Sequence, residues 1–212
     1  PAVSIITLAI VLTAVAAFVA GSLAYVYAFR GRTRYAGFNE YLRKGWPVFS
    51  PLNCLLYLCT RARAGHSFMD VADFPELAPI RDQWTTIRDE ALGVYEQAYF
   101  DAPMHKENAS HYDLGFRTFY KYGWSKFYLT WYGYTHASAQ RLMPRTVALL
   151  NGVPGVNGAM LTILPPGGKL TRHSDPLACS LRYHLGLRTP NDDNCFIDVD
   201  GHTHSWRDGE AI

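Results

Sequence analysis

His173 and Asp175, a histidine and an aspartate separated by one residue, are the residues in this sequence best suited to bind a metal ion together. On a β-strand, residues two apart point to the same side, so both side chains could contact one ion. With one distant histidine they would form the triad of two histidines and one carboxylate, which leaves positions on the metal open for a co-substrate and oxygen. The spacing is compatible with two of the three ligands of such a metal site, but a His-x-Asp triplet also occurs by chance in many proteins.

Arg182 and His184 form a second candidate pair, on a segment whose apolar and polar residues alternate. Residues 180–188 place leucines and a tyrosine on one face and these two side chains, with Arg188, on the other. If the polar face points into a barrel, the buried cation needs an anion, and a bound dicarboxylate would provide one through a two-pronged guanidinium contact. A solvated strand face explains the same alternation, so both interpretations stay open.

The secondary structure that would position these residues is predicted to be helical before Pro154 and to consist of strands after it. Ile80, Trp84, Ile87, Ala91 and Val94 recur at helical spacing, which predicts an amphipathic helix packed on a core. A further helix is predicted from Pro144 to its end at Asn151-Gly152. After Pro154, short segments with a period of two follow one another, separated by turns rich in Gly and Pro. We expect strands at 159–164, 169–175, 180–188 and 194–199. Such a series predicts a sandwich or barrel such as a jelly roll.

The N-terminal segment is long and apolar. Residues 3–29 contain no charged side chain and exceed the roughly 20 residues that a helix needs to cross a bilayer. Basic residues follow the segment and none precedes it: Arg30, Arg32, Arg34, Arg43 and Lys44. The positive-inside rule then places the rest of the chain in the cytoplasm. A cleaved signal peptide is the alternative, but its apolar stretch would be shorter and its basic residues would come first.

A second apolar stretch, residues 46–59, is too short to span a bilayer and contains Pro47 and Pro51. Basic residues on both sides favour a segment that lies in the cytoplasmic membrane interface. A core helix of the soluble domain is the alternative interpretation.

Composition narrows the remaining classes of function. The net charge of +2 is too small to indicate a nucleic-acid-binding protein. Aromatic residues interleaved with Lys and Arg at 116–134 could stack on bases, face lipid or form a plain β-core, and we expect no nucleic-acid partner. The four cysteines have no framework spacing, which is typical of reduced thiols.

The ordered motifs in the last third of the chain resemble the aspartyl/asparaginyl β-hydroxylase family. They are Pro165-Pro166-Gly-Gly, His173-Ser-Asp175, Ser180-Leu-Arg182-Tyr-His184-Leu-Gly-Leu and Trp206-Arg-Asp-Gly209-Glu210. The resemblance implies a dioxygenase that uses Fe(II), 2-oxoglutarate and O2, with ascorbate as an optional reductant. It also implies an α+β fold, in which an N-terminal transmembrane helix precedes a double-stranded β-helix (a jelly-roll, cupin-like domain) with flanking helices.

One branch of the family, the bacterial lipid A 2-hydroxylases, is similar over nearly the whole chain. It shares the N-terminal apolar segment, a Trp-Pro-Val-Phe-Ser-Pro-Leu-Asn-like stretch at 46–53 and a Phe-Pro-Glu-Leu-like helix start at 74–77. The branch implies hydroxylation of C2 of an acyl chain of lipid A at the bacterial inner membrane, with the catalytic domain on the cytoplasmic side. Its partners would be the bilayer and lipid A or another acylated membrane lipid.

Carried over residue by residue, the resemblance assigns roles to five positions. His173 and Asp175 would be iron ligands, and the Asp favours the bacterial branch because the animal members have Gly there. Arg182 and His184 match positions that bind the 2-oxoglutarate carboxylates, and Thr162 matches a hydroxyl residue that touches the same co-substrate. In the family a second iron-binding His follows the Trp206 to Glu210 segment. We expect it beyond Ile212, so that the domain is C-terminally truncated here and this chain binds iron poorly and is inactive.

The sequence thus predicts a membrane anchor at 1–29, a basic juxtamembrane and interfacial segment at 30–70, and an incomplete β-hydroxylase-type domain at 71–212. Two other functions remain compatible with it. One is a hydroxylase of Asp or Asn in peptides, with the same chemistry and another substrate. The other is a non-catalytic membrane-associated binding or scaffold protein.

Overall fold

The computed structural model describes residues 4–59, 66–97 and 124–212. These residues belong to two compact units that interleave along the chain. The first unit comprises Pro1–Phe68, Arg172–Arg182 and Asp198–His204. The second unit comprises Met69–Thr171, Tyr183–Ile197 and Ser205–Ile212.

Helix α1 of the first unit, Ile5–Phe29, confirms the predicted apolar helix. The side chain of Ser4 caps its first turn by accepting a hydrogen bond from the Ile6 backbone N–H. The helix is 25 residues long, carries no charge and leaves most of its apolar side chains exposed. By length and composition it is able to cross a membrane.

The first unit also contains two shorter helices. Helix α2, Phe38–Lys44, is followed by a 3₁₀ turn at Pro47–Phe49 and then by α3, Ser50–Cys59. Helix α3 packs along α1. Tyr41 is fully buried, and its hydroxyl shares a hydrogen bond of 2.5 Å with Ser50 Oγ.

Helix α3 has a polar buried side and an apolar exposed side. Ser50 and Asn53 are buried, whereas Leu52, Leu55 and Leu58 are 45, 49 and 84% exposed. A core helix of a water-soluble domain would show the opposite distribution, so the exposed leucines favour the interfacial interpretation of residues 46–59. That this side lies in a membrane remains a prediction.

The second unit begins with helices. After 3₁₀ turns at Val71–Asp73 and Pro75–Leu77 come α4, Ala78–Asp82, and α5, Trp84–Glu96. Ile80, Ile87 and Val94 are buried in the core, as their helical spacing predicted. Helices α6, Ala137–Leu142, and α7, Pro144–Asn151, follow further along the chain. Pro144 occupies the first turn of α7, and Gly152 ends the helix, as predicted.

A three-stranded antiparallel sheet packs in the core of the second unit. Its strands are β1, Ser125–Trp131, β2, Tyr134–Thr135, and β3, Gly158–Ile163, in the order β2-β1-β3. Strand β3 confirms the prediction at 159–164. Of the aromatic stretch at 116–134, residues 116–123 lie outside the described residues, and the part in β1 is a buried β-core.

Lys126 is a cation within this core. It is only 5% exposed, and its ammonium group donates a hydrogen bond to the Tyr128 hydroxyl. Burial lowers the pKa of Lys126 to about 8, because desolvation disfavours the charged form.

A hairpin in the last part of the described residues supplies two further strands, β4, Phe196–Val199, and β5, His202–Ser205. Asp200 and Gly201 form its tight turn, both with positive φ. Strand β4 confirms the prediction at 194–199. The α+β class and the N-terminal apolar helix are therefore confirmed. The sheets of the described residues are small and open, so the jelly roll is not confirmed.

Two predicted strands are wrong. Residues 169–175 form no strand, and the segment 180–188 contributes only an isolated bridge between Leu185 and Ala211. The alternating pattern predicted pairing along the whole segment. Backbone hydrogen bonds reach residues 184–186 from 209–212, whereas Ser180 N–H turns back to the Leu177 carbonyl.

Candidate functional site

The segment with His173 and Asp175 is an irregular loop of the first unit, held by hydrogen bonds. Ser174 N–H donates to the Lys44 carbonyl at 2.9 Å, and the Tyr35 hydroxyl hydrogen-bonds Ser174 Oγ. The loop therefore takes its position from α2 and the residues that precede this helix. The loop is not part of a strand. The expectation that His173 and Asp175 point to the same side, which assumed a strand, therefore does not apply.

The buried amide of Asn53 fixes the next part of the loop from helix α3. Its Nδ2 donates to the Pro176 carbonyl at 2.9 Å, and its Oδ1 accepts from Ala178 N–H at 3.0 Å. One side chain thus satisfies backbone groups on both sides of Leu177. The sequence predicted no role for Asn53. An amide in an apolar helix was the signal that it has a specific partner.

An ion-pair cluster surrounds the start of the same loop. Glu40 of α2 pairs with Arg172 at 2.8 Å and with Lys44 at 3.1 Å, and also accepts from Ala36 N–H. The Ala36 backbone hydrogen bond and then the one from Lys44 lower the pKa of Glu40 to about 2. Glu40 therefore stays ionised and holds the residue next to His173.

Asp175 and Arg182 contact each other directly. The guanidinium donates from Nε to Asp175 Oδ2 at 2.8 Å and from Nη2 to Oδ1 at 3.1 Å. This is a bidentate pair, with side chains 39 and 43% exposed. His173 is exposed in the same loop. The structure thus brings together a proposed metal ligand and the cation proposed for the co-substrate.

Thr162 and His184 belong to the second unit. Thr162 is an exposed residue of β3, paired in register with Lys126. His184 exchanges two backbone hydrogen bonds with Ile212, and its ring stacks on Trp206 at 5.4 Å between centroids. Gly186, two residues on, is packed so closely that a Cβ would come within 2.2 Å of the Arg207 carbonyl oxygen.

His173 and Asp175 have the donor types that Fe(II) accepts in a facial triad. Across residues 4–59, 66–97 and 124–212, however, no three His, Cys, Asp or Glu side chains lie close enough to hold a metal ion. The two donors fit part of such a site, and the described residues do not complete it.

Asp200, in the hairpin turn, makes an attachment that the sequence did not predict. Its carboxylate accepts from the backbone N–H groups of Arg32 and Thr33, at 2.6 and 2.7 Å, just after α1 ends. Burial raises the pKa of Asp200, but these two backbone hydrogen bonds outweigh it, so the pKa is lowered. His202 adds to the attachment through Arg32 and Ser67.

Comparison with known proteins identifies relatives among hydroxylases. The chain is 34% identical over 90 residues to an ornithine lipid ester-linked acyl 2-hydroxylase of Rhizobium tropici, covering 42% of this chain and 32% of that protein. It is 31% identical over 134 residues to the human aspartyl/asparaginyl beta-hydroxylase, covering 61 and 16%. It is 35% identical over 95 residues to an aspartate beta-hydroxylase domain-containing protein 2 of Xenopus tropicalis, covering 42 and 25%.

The chain therefore spans about a third of the length of these curated relatives, or less. No solved structure is significantly similar to it. The family model for aspartyl/asparaginyl beta-hydroxylase matches residues 81–212, which include all five residues to which the sequence assigned roles. The chain belongs to the aspartyl/asparaginyl β-hydroxylase family.

Proposed function

We propose that this protein is a membrane-anchored, Fe(II)- and 2-oxoglutarate-dependent dioxygenase that hydroxylates C2 of an acyl chain of lipid A. One observation carries the choice of a lipid substrate: the chain with the hydroxylase domain also contains α1, an uncharged helix of 25 residues. Transfer of an acyl chain from an apolar phase into water costs roughly 0.8 kcal/mol of free energy for each CH₂ group. An enzyme that acts on such a chain must therefore work at the bilayer.

In this proposal, His173 and Asp175 would hold the iron, and Arg182, which belongs to the same unit, would bind a carboxylate of the 2-oxoglutarate. The iron, together with 2-oxoglutarate and O2, supplies the oxidising power that inserts oxygen into a C–H bond. The guanidinium of Arg182 offers a planar pair of donors that suits a carboxylate. It already makes this contact with Asp175.

The proposed location is the bacterial inner membrane, with the domain on the cytoplasmic side. The basic residues after α1 support this orientation, because cytoplasmic flanks of membrane helices carry an excess of Lys and Arg. The relative from Rhizobium tropici acts, by its name, on an ester-linked acyl chain of ornithine lipid. This supports acyl C2 as the position and makes ornithine lipid the second substrate to test.

In the decisive experiment, the full-length protein is expressed in a bacterial host that lacks 2-hydroxylated lipids. Ornithine lipid is supplied in a parallel culture. Mass spectrometry of the extracted lipids should show one added oxygen on an acyl fragment of lipid A. The His173→Ala variant should abolish that product. An added oxygen on ornithine lipid alone would replace lipid A as the substrate.

A peptide hydroxylase remains the rival within the family, since the human relative is named for aspartyl and asparaginyl residues. Oxidation of Asp or Asn in peptides, with both lipids unchanged, would support that rival against our proposal. Failure of the full-length protein to convert 2-oxoglutarate to succinate with Fe(II) would instead indicate a non-catalytic membrane-associated protein.

A further inference from the structure

An apolar groove of about 380 Å³ runs between α1 and α3 in the first unit. Phe18, Gly21 and Tyr25 line it from α1, and Cys54, Leu55 and Leu58 line it from α3. Its volume is within the range of pockets that bind small molecules.

Gly21 opens the wall of this groove. A Cβ at this position would meet no atom within 4 Å, so the glycine leaves free space where a larger residue would project. The neighbouring Ser22 keeps the wall apolar, because its hydroxyl is buried and donates to the Phe18 carbonyl at 2.7 Å. The groove therefore has the shape and polarity for a hydrocarbon chain.

A cation lies at the groove. The guanidinium carbon of Arg30 is 3.8 Å from the ring centroid of Tyr57, which also lines the groove. Arg30 directly follows the last residue of α1, and Arg32 and Arg34 come next in the sequence. An apolar groove with a guanidinium beside it complements a molecule with a hydrocarbon tail and an anionic head.

We propose that the α1–α3 groove binds an acyl chain of an anionic membrane lipid, with the lipid phosphate at Arg30. This inference rests on the proposed function in one respect, which is that α1 crosses a bilayer. A second copy of the chain fits the groove less well. A symmetric contact would bring the two sets of Arg30, Arg32 and Arg34 together, and like charges disfavour such an interface.

The test uses the full-length protein in vesicles of phosphatidylcholine and phosphatidylglycerol. A phosphatidylglycerol carrying a diazirine on one acyl chain serves as the probe, and mass spectrometry locates the cross-links. We expect labelled peptides from α3, around Cys54 and Leu55.

Gly21→Leu should reduce labelling of α3 by about tenfold, which corresponds to a loss of roughly 1.4 kcal/mol of binding. The variant should fold, because the new side chain begins in open space and Leu favours a helix more than Gly does. Ala20→Leu is the matched control, since this exposed residue of α1 does not line the groove. Equal labelling in the two variants would overturn the inference.

Arg30→Gln tests the headgroup contact. It should reduce labelling by the phosphatidylglycerol probe about fivefold, the effect of one basic residue at an anionic surface. Labelling by a phosphatidylcholine probe should fall less, because the choline ammonium already compensates the charge of that lipid's phosphate. Arg43→Gln is the control in the same basic region and should label like the wild type.

The experiment distinguishes an error in the proposed lipid site from an error in the proposed membrane anchor. A protein that resists carbonate extraction yet shows no groove-specific label would overturn the lipid site alone. A protein released by carbonate would overturn both the membrane setting and the site. Disulfide-linked dimers of a Gly21→Cys variant, in place of lipid labels on the wild type, would assign the groove to a second copy.

Discussion

Arg182 holds both carboxylate oxygens of Asp175, through Nε at 2.8 Å and Nη2 at 3.1 Å. Because both side chains are more than a third exposed, solvent screening keeps such a pair at roughly 0–1 kcal/mol of stability. The pair therefore has little value as a structural link. The contact occupies the two groups that the sequence predicted for iron and for 2-oxoglutarate.

We predict that Arg182→Gln separates stability from activity. A double-mutant cycle with Asp175→Asn should give a coupling free energy of unfolding below about 1 kcal/mol. Turnover of 2-oxoglutarate by the full-length enzyme should fall about a hundredfold, as for loss of a donor that holds a reacting group. Arg81→Gln removes a comparable surface pair with Asp82 and should leave turnover unchanged. A large coupling energy with intact turnover would identify the pair as structural.

A second prediction concerns the stacking of His184 on Trp206. Trp206→Leu removes the aromatic surface on which the imidazole lies, and aromatic pairs contribute roughly 0.5–1.5 kcal/mol. The KM for 2-oxoglutarate should rise severalfold while kcat stays near that of the wild type. Trp206→Phe retains a ring and should restore most of the affinity. A change in kcat alone would show that the stack does not position a co-substrate residue.

The pH dependence of the free energy of unfolding should reveal the contribution of the ionised Glu90 carboxylate. Its carboxylate joins α5 to α7 by accepting from the Thr146 backbone and hydroxyl and from Arg145. Burial raises the pKa of Glu90, but the hydrogen bonds from Thr146 and Arg145 outweigh burial, so the pKa is lowered. A lowered folded-state pKa gives stability that is complete above the unfolded value of 4.5 and is lost as pH falls through the folded value.

Glu90→Gln should therefore lower the free energy of unfolding by roughly 1–3 kcal/mol at neutral pH. The difference from the wild type should shrink below pH 4.5. Urea titrations in detergent at stepped pH would measure it. Glu96→Gln, an exposed position at the end of α5, provides the control and should change little. A difference that is constant with pH would contradict an ionised Glu90 as the source.

Gly186 should tolerate no side chain. A Cβ there would approach the Arg207 carbonyl oxygen to 2.2 Å, and the main chain at this point is fixed by hydrogen bonds with Glu210 and Gly209. We expect Gly186→Ala to destabilise the second unit by roughly 1–3 kcal/mol. Gly93→Ala meets open space within α5 and should stabilise it by up to about 1 kcal/mol. Thermal unfolding of the two variants would measure effects of opposite sign.

Local sequence patterns were sufficient to predict the helices but not the geometry of the candidate site. Ile87 and Val94, seven residues apart, share a face of α5, so their burial could be predicted. The single helix predicted from Ile80 to Val94 is divided at Gln83 between α4 and α5, although Ile80 is buried as well. The alternation at 180–188 was misleading, because a strand also needs a partner, and the partner residues 209–212 reach only part of it. The role of Asn53 and the pairing of Asp175 with Arg182 depend on loop geometry, which no periodicity encodes.

The hydrogen bonds from Arg32 and Thr33 to Asp200 have a mechanical consequence for the helix that precedes them. Only Arg30 and Gly31 lie between Phe29, the end of α1, and Arg32, so the link is three Cα–Cα steps and spans at most about 11 Å. Rotation of α1 about its own axis is therefore transmitted to the hairpin turn and is not absorbed by slack. The azimuthal orientation of α1 and that of the hairpin turn are therefore set together.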